Sequence, residues 1–411
     1  MVDLLDCTVM PYAWGSRTAI AELTGRPSPS AAPEAELWMG AHPSAPSRLS
    51  RAKGNGAQSL ADIIAASAMH EIGAEVATTF GPRLPFLLKV LAAAQPLSLQ
   101  AHPNEAQAKR GFEDEDRRGI ARDAPTRSYR DSSHKPELLC ALVPVEALCG
   151  FRRAADTLRL FDDLAVAELE PLLAPLRGSC DSRGLAATFG MLMTLARDEG
   201  ARVVKATVAA CDARVSAGSS FAREYGWAIR LAALYPGDVG VVSALLLNLV
   251  HLQPGEALYL GAGNLHAYLE GVGVEIMASS DNVLRGGLTT KHMDVPELMG
   301  VLDFVDGPAA VVRARHLDEH ERVWDTPARE FRLSAIEVGA TPAAPVAREV
   351  RGPEILLCAR GTVVVSPADG SPEVTLTGGA AAFVPASTGR YHLRAAGNAS
   401  GYLFRATVNL T

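Results

Sequence analysis

The sequence predicts a mainly β protein in which jelly-roll barrels flank an α-helical insertion, and three stretches of different texture carry that reading. Residues 1–151 mix short β-like runs with Pro- and Gly-rich loops, residues 152–250 carry apolar side chains at helical spacing, and from residue 257 short β segments return. Two β-rich parts on either side of a helical stretch fit barrels with room for a ligand inside one of them. The corresponding division is 1–151 with 251–305 as one β domain, 152–250 as the insertion, and 306–411 as a second β domain. No sequence-exact repeat relates the two β parts.

In the first part the clearest strands are 86–91 and 97–102, bounded by Pro85, Pro96 and Pro103, since proline cannot donate to a ladder and interrupts it. In the insertion, Leu158, Leu160, Phe161 and Leu164 fall at helical spacing, and the pattern continues over 185–193, 221–234 and 239–250. Beyond it, 257–260, a Gly-Ala-Gly-Asn turn, 265–270, a Gly-Val-Gly turn and 274–277 form a meander. A less regular stretch over 306–349 then leads to β segments at 354–365, 374–376, 380–384 and 391–394.

Composition narrows the function. With 411 residues, 48% of them hydrophobic, the chain has enough apolar surface for two or three packed units. A net charge of −7 argues against a general nucleic-acid binder, which needs basic phosphate contacts. It leaves open an anionic small substrate met by a local basic cluster. Six scattered cysteines with no CxxC pair read as reduced thiols. There is no basic-then-apolar leader and no uninterrupted apolar span, so the expectation is a soluble cytoplasmic protein without membrane partners. The sequence does not fix an oligomeric state, and a monomer is compatible with it.

Strand alternation decides which side chains share a face. In 97–102, Leu97, Leu99 and Ala101 point one way and Ser98, Gln100 and His102 the other; Lys135 shares a face with Glu137, and His266 with Tyr268. A buried wall seldom carries several polar groups in register unless something binds them. The metal-competent members are Gln100, His102, Glu137 and His266. Two imidazoles and one carboxylate suit zinc. A neutral amide as fourth donor leaves the ion net positive, which favours Lewis-acid stabilisation of a developing oxyanion. Taken singly, a strand histidine is more often a hydrogen-bonded core or surface residue, and the four lie too far apart for spacing to join them. A second constellation, Glu275, Asp281, Arg285 and Lys291, surrounds small residues in a polar loop where a phosphate or sugar could approach. Such a loop is equally an ordinary solvated stretch.

At these residues the chain resembles the type I mannose-6-phosphate isomerases. The matching stretches are 12–15 (Tyr-Ala-Trp-Gly), 35–43 (Ala-Glu-Leu-Trp-Met-Gly-Ala-His-Pro), 97–103 (Leu-Ser-Leu-Gln-Ala-His-Pro), 130–137 (Arg-Asp-Ser-Ser-His-Lys-Pro-Glu), 263–268 (Gly-Asn-Leu-His-Ala-Tyr) and 278–287 with its Ser-Asp-Asn core. Ser133 stands where that family usually has Asn, and Thr290 where Pro usually precedes Lys. The resemblance implies a cupin-type catalytic domain with a helical insertion and a C-terminal cupin-like domain without metal. It implies one Zn2+ per chain on Gln100, His102, Glu137 and His266, and an essential Arg285. It also implies pocket positions at Lys135, Glu275, Asp281 and Tyr268, with Trp14, Lys89, Ser98 and Lys291 near a hexose 6-phosphate.

The implied reaction is aldose–ketose isomerisation through a cis-enediolate, with Glu275 and Lys135 as candidates for proton transfer. A lysine beside a divalent cation is pushed toward the neutral form by like charge and burial, the condition for acting as a base. Arg285 stays charged and would hold an enediolate oxygen or the phosphate, with Lys89, Ser98 and Lys291 available to the phosphate. Two other readings share the ligand types: an iron-dependent cupin oxygenase, which the Gln-x-His pair fits less well, and a non-catalytic sugar-phosphate-binding cupin.

Overall fold

The computed structural model describes residues 1–49, 51, 56–340 and 343–410, and the expected mainly β architecture with a helical insertion is present. An 11-stranded sheet system, in which strands branch off the main path, builds the first barrel; a 7-stranded and a 4-stranded sheet face each other in the second. Among the described residues no helix is long and apolar enough to cross a membrane.

One strand, His266–Ala278, ties the first barrel together. Its first half pairs with Val145–Phe151 and meets Leu99–Ala101 at the His266–Gln100 register. Its second half pairs with Phe86–Ala93 on one side and Glu137–Ala141 on the other. The Gly-Val-Gly sequence expected as a turn is therefore strand interior. Its glycines serve close approach instead: a Cβ on Gly271, whose φ is +128°, would lie 2.6 Å from the Pro144 carbonyl oxygen, and one on Gly273 would lie 2.8 Å from that of Cys140. Gly271→Ala is expected to destabilise the protein by about 3 kcal/mol, through a forbidden φ and an overpacked strand crossing. Urea unfolding of the two proteins measures the difference.

The outer faces of the barrel are covered on both sides. Leu99, Ala101, Leu148, Leu265, Ala267, Leu269 and Leu284 pack beneath helices of the insertion, among them Ala154–Leu164 and Ser182–Met193. Leu88, Val90, Leu138, Cys140, Val274 and Ile276 pack against Leu333, Ala335, Ile355, Leu357, Phe383 and Phe404 of the C-terminal barrel. Alternation then turns the intervening polar residues inward.

Several boundaries differ from the sequence reading. The strand Leu99–Ala101 is shorter than 97–102 because Pro96 and Pro103 crowd it. Helix over 239–250 is confined to Gly240–Leu245, and Leu247–Leu252 is a strand on Val145–Phe151. Its apolar run, read at helical spacing, is satisfied equally by a strand that buries Leu247, Val250 and Leu252. The stretch 306–349 contains the full strand Arg332–Val338, hidden in the sequence by its mixed Ser, Ala and Glu content. The sheets also cross the division drawn at 306: Val311–Arg313 pairs with Glu256–Leu260 in the first barrel, while Asp3–Leu5 pairs with Ala381–Val384 in the second. Nor is 275–291 one polar loop, since Glu275 lies inside a strand and Arg285 on the strand Leu284–Gly287.

Candidate metal centre and active site

Two rows of side chains converge inside the first barrel. Gln100 is the register partner of both His266 and Arg285, so these three, on neighbouring strands, share the inner face. Glu275 is the partner of Lys89, and Lys89 of Trp38, which forms the second row. His266 and Glu275 are nine residues apart on one strand, and strict alternation would send them to opposite faces. The register shift between Tyr268 and Glu270 inserts the extra residue that brings both inward.

His102, Glu137 and His266 are buried, and their ligand atoms lie within 4.8 Å of one another. His102 Nε2 is 3.3 Å from Glu137 Oε1, and His266 Nε2 is 3.4 Å from Glu137 Oε2. Each ring is oriented from behind: His102 Nδ1 donates to the Asn282 carbonyl (2.7 Å) and His266 Nδ1 to the Asn264 carbonyl (3.0 Å). That fixes the tautomer whose Nε2 carries the lone pair. His102 Nε2, His266 Nε2 and Glu137 Oε2 are buried with no hydrogen-bond partner among the described residues. Orphaned polar atoms of this kind are costly unless a ligand satisfies them. Donors placed about 2.0–2.1 Å from a tetrahedral zinc ion sit roughly 3.3 Å apart, so the cluster fits zinc.

Electrostatics prepare the same state. Burial, with Lys135 and His266 nearby, pushes His102 down to about 4 despite Glu137. Burial opposes ionisation of Glu137, but Lys135 and His102 hold its carboxyl well below the usual range. Neutral imidazole and ionised carboxylate are the forms that bind a metal. Lys135 Nζ lies 3.1 Å from Glu137 Oε1.

Beside this centre, Lys89 Nζ donates to Glu275 Oε2 at 3.0 Å and lies 3.5 Å from Glu36 Oε1. Burial would lower the Lys89 pKa, yet Glu275, Glu36 and Glu137 raise it. Glu275 is raised by burial and by Glu137 and Glu36, against the pull of Lys89 and Lys135. Tyr268 is fully buried, and burial with the charges of Glu275 and Glu137 holds its hydroxyl well above the usual range. Trp14 packs on the apolar floor of the barrel formed by Leu91, Ala93, Leu139 and Tyr268.

The mouth is cationic. Arg285 is half-buried and its pKa is lowered by burial and by Arg130; Lys291 is lowered by burial, Arg285 and Arg130. None of the three has an ion-pair partner among the described residues, whereas Lys89 is engaged by two carboxylates. Ser98 is half-buried just before Leu99–Ala101. Asp281 lies at the rim, 3.5 Å from His42 Nε2.

Sequence reasoning missed Arg130, Glu36, His42 and Asn282. Asn282 is the clasp of the site: its Oδ1 accepts from Arg130 N (2.7 Å), and its Nδ2 donates to the carbonyls of Asp131 (2.7 Å) and Ser133 (2.8 Å). It thereby holds the segment leading to Lys135 and Glu137 against the one leading to Arg285. Asn282→Ala is expected to weaken metal binding by about 10–100-fold, the usual cost of losing an outer support. Competition with a zinc-chelating dye measures it.

Fold and site together define a metal-binding cupin with an anion-receptive mouth. The family model for the phosphomannose isomerase type I catalytic domain matches residues 2–154. The mannose-6-phosphate isomerase of Escherichia coli (strain K12) is 38% identical over 382 residues, covering 92% of this chain and 94% of that protein. The Homo sapiens mannose-6-phosphate isomerase is 32% identical over 406 residues, covering 93% of each. Among solved structures, a zinc-bound mannose 6-phosphate isomerase superposes with a TM-score of 0.89 at 35% identity over 100% of both chains. The Salmonella typhimurium enzyme bound to its substrate fructose 6-phosphate and to zinc gives 0.88 at 34% identity, again over 100% of both. The chain belongs to the type I mannose-6-phosphate isomerase family.

Proposed function

We infer that the chain is a zinc-dependent aldose–ketose isomerase that interconverts D-mannose 6-phosphate and D-fructose 6-phosphate. The observation that carries this is the convergence of three orphaned donors inside the barrel of a chain matching mannose-6-phosphate isomerases along nearly its whole length. Neither an iron oxygenase nor a non-catalytic binder is favoured by those relatives. Gln100 is the proposed fourth ligand, supported by its register beside His266.

Zinc, when bound, supplies Lewis-acid polarisation of the sugar oxygens. The protein supplies the proton transfer. Glu275 takes the proton from C2 of the open-chain aldose, leaving a cis-enediolate, and returns it to C1 while the O2 proton passes to O1. Its burial and raised pKa suit a base, whereas Lys135 faces Glu137, a proposed ligand. The Lys89 ammonium keeps Glu275 in place. Arg285 faces the negative charge that develops on the enediolate oxygens. Lys291 and Arg130, with Ser98 within the groove, meet the phosphate, while Trp14, Tyr268 and Asp281 wall the sugar. The test is a coupled assay with mannose 6-phosphate. Turnover that disappears on chelation and returns with zinc supports the proposal; turnover indifferent to chelation rejects the zinc role.

A further inference from the structure

We propose that Glu36 is a positioning residue for proton transfer: held by the Trp38 indole, it shares the Lys89 ammonium with Glu275 and so keeps Glu275 basic. The inference rests on the isomerase reading above and adds to it a residue outside the metal and substrate sets.

Glu36 is buried in the barrel wall, on the strand Glu36–Gly40. Trp38 Nε1 donates to its Oε2 at 2.7 Å, which turns Oε1 toward Lys89 Nζ at 3.5 Å. Lys89 in turn donates to Glu275 Oε2 at 3.0 Å and lies 5.3 Å from the Trp38 ring centre. One buried ammonium thus serves two buried carboxylates. Stability alone does not require this arrangement, because a buried carboxylate costs several kcal/mol and an apolar residue of similar volume often does as well. Its consequence is electrostatic. An ammonium devoted to Glu275 would form a closed pair and make it a poor base. Sharing with Glu36 leaves the pair incompletely neutralised.

The groups facing Glu275 are Lys89 from Phe86–Ala93, Glu36 from Glu36–Gly40, Lys135 just before Glu137–Ala141, Glu137 as its first residue, and Tyr268 on its own strand. The two lysines favour the carboxylate, and Glu36 and Glu137 disfavour it. Of these, Glu36 alone can be neutralised without touching a proposed ligand, proton carrier or substrate contact.

The test is steady-state kinetics across pH on zinc-loaded protein. Glu36→Gln keeps the volume and an acceptor for Trp38 while removing the charge; Glu36→Asp keeps the charge but withdraws it. Glu36→Gln is expected to lower kcat about two- to threefold, with KM within about twofold. The acid limb of kcat/KM moves to lower pH by about half a unit or more. Glu36→Asp moves it the same way by less, and zinc content stays at the wild-type level. An acid limb and kcat unchanged in whichever variant folds overturn the proposal. So does a kcat loss that merely follows loss of zinc. Wild-type protein that fails to turn over mannose 6-phosphate would instead remove the isomerase reading itself.

Discussion

Replacing His266 with alanine is expected to cut kcat/KM by about a thousandfold or more and to release the metal in the same step. His266 is completely buried, its Nδ1 is committed to the Asn264 carbonyl, and its Nε2 lies 3.4 Å from Glu137 Oε2 with no hydrogen-bond partner among the described residues. Without it, Gln100, His102 and Glu137 remain, one imidazole short of the proposed set. The fold should survive, because the neighbours that anchor this strand, Leu265 and Ala267, point outward into the core beneath the helices. Zinc content by atomic absorption and kinetics on the same sample check the result. Full activity with full zinc would remove His266 from the ligand set.

Arg285→Ala is expected to lower kcat/KM by about 10²–10³-fold while zinc stays bound. The guanidinium shares the inner face with Gln100 and His266, and its removal breaks no ion pair among the described residues. Arg285→Lys should restore only part of the activity, since an ammonium lacks the planar fork that holds two oxygens at once. Kinetics combined with metal analysis separates this result from that of His266→Ala: here activity falls and zinc remains. An unaltered kcat/KM would show that the charge across the cavity is not used.

Much of this site was legible because strand alternation is local. Ser98, Gln100 and His102 on one side of Leu97, Leu99 and Ala101 already marked a polar face, and Gln100 does sit beside His266. The rest depended on departures from alternation. No sequence period signals the register shift after Tyr268, and glycines at 271 and 273 look like a turn until Pro144 and Cys140 are seen crossing there. Glu36 and Trp38 are two residues apart in a stretch that carries no role by itself, so their link to Lys89 exists only once three strands align. Arg130 becomes part of the mouth only because Asn282, more than 150 residues away, fixes its backbone. The C-terminal barrel was read correctly wherever β-branched runs were dense, as at 362–365, and missed at Arg332–Val338, where small and polar residues fill a buried strand.

The most direct measurement is zinc K-edge X-ray absorption on the metal-loaded protein. The six cysteines of the chain make it decisive, because zinc held by any of their thiols would show sulfur scattering. Two imidazole nitrogens with carboxylate and amide oxygens give a single nitrogen–oxygen shell at about 2.0–2.2 Å, and this is the expected spectrum. A sulfur shell at about 2.3 Å, or a spectrum unaffected by replacing His102 and His266 together, would contradict it.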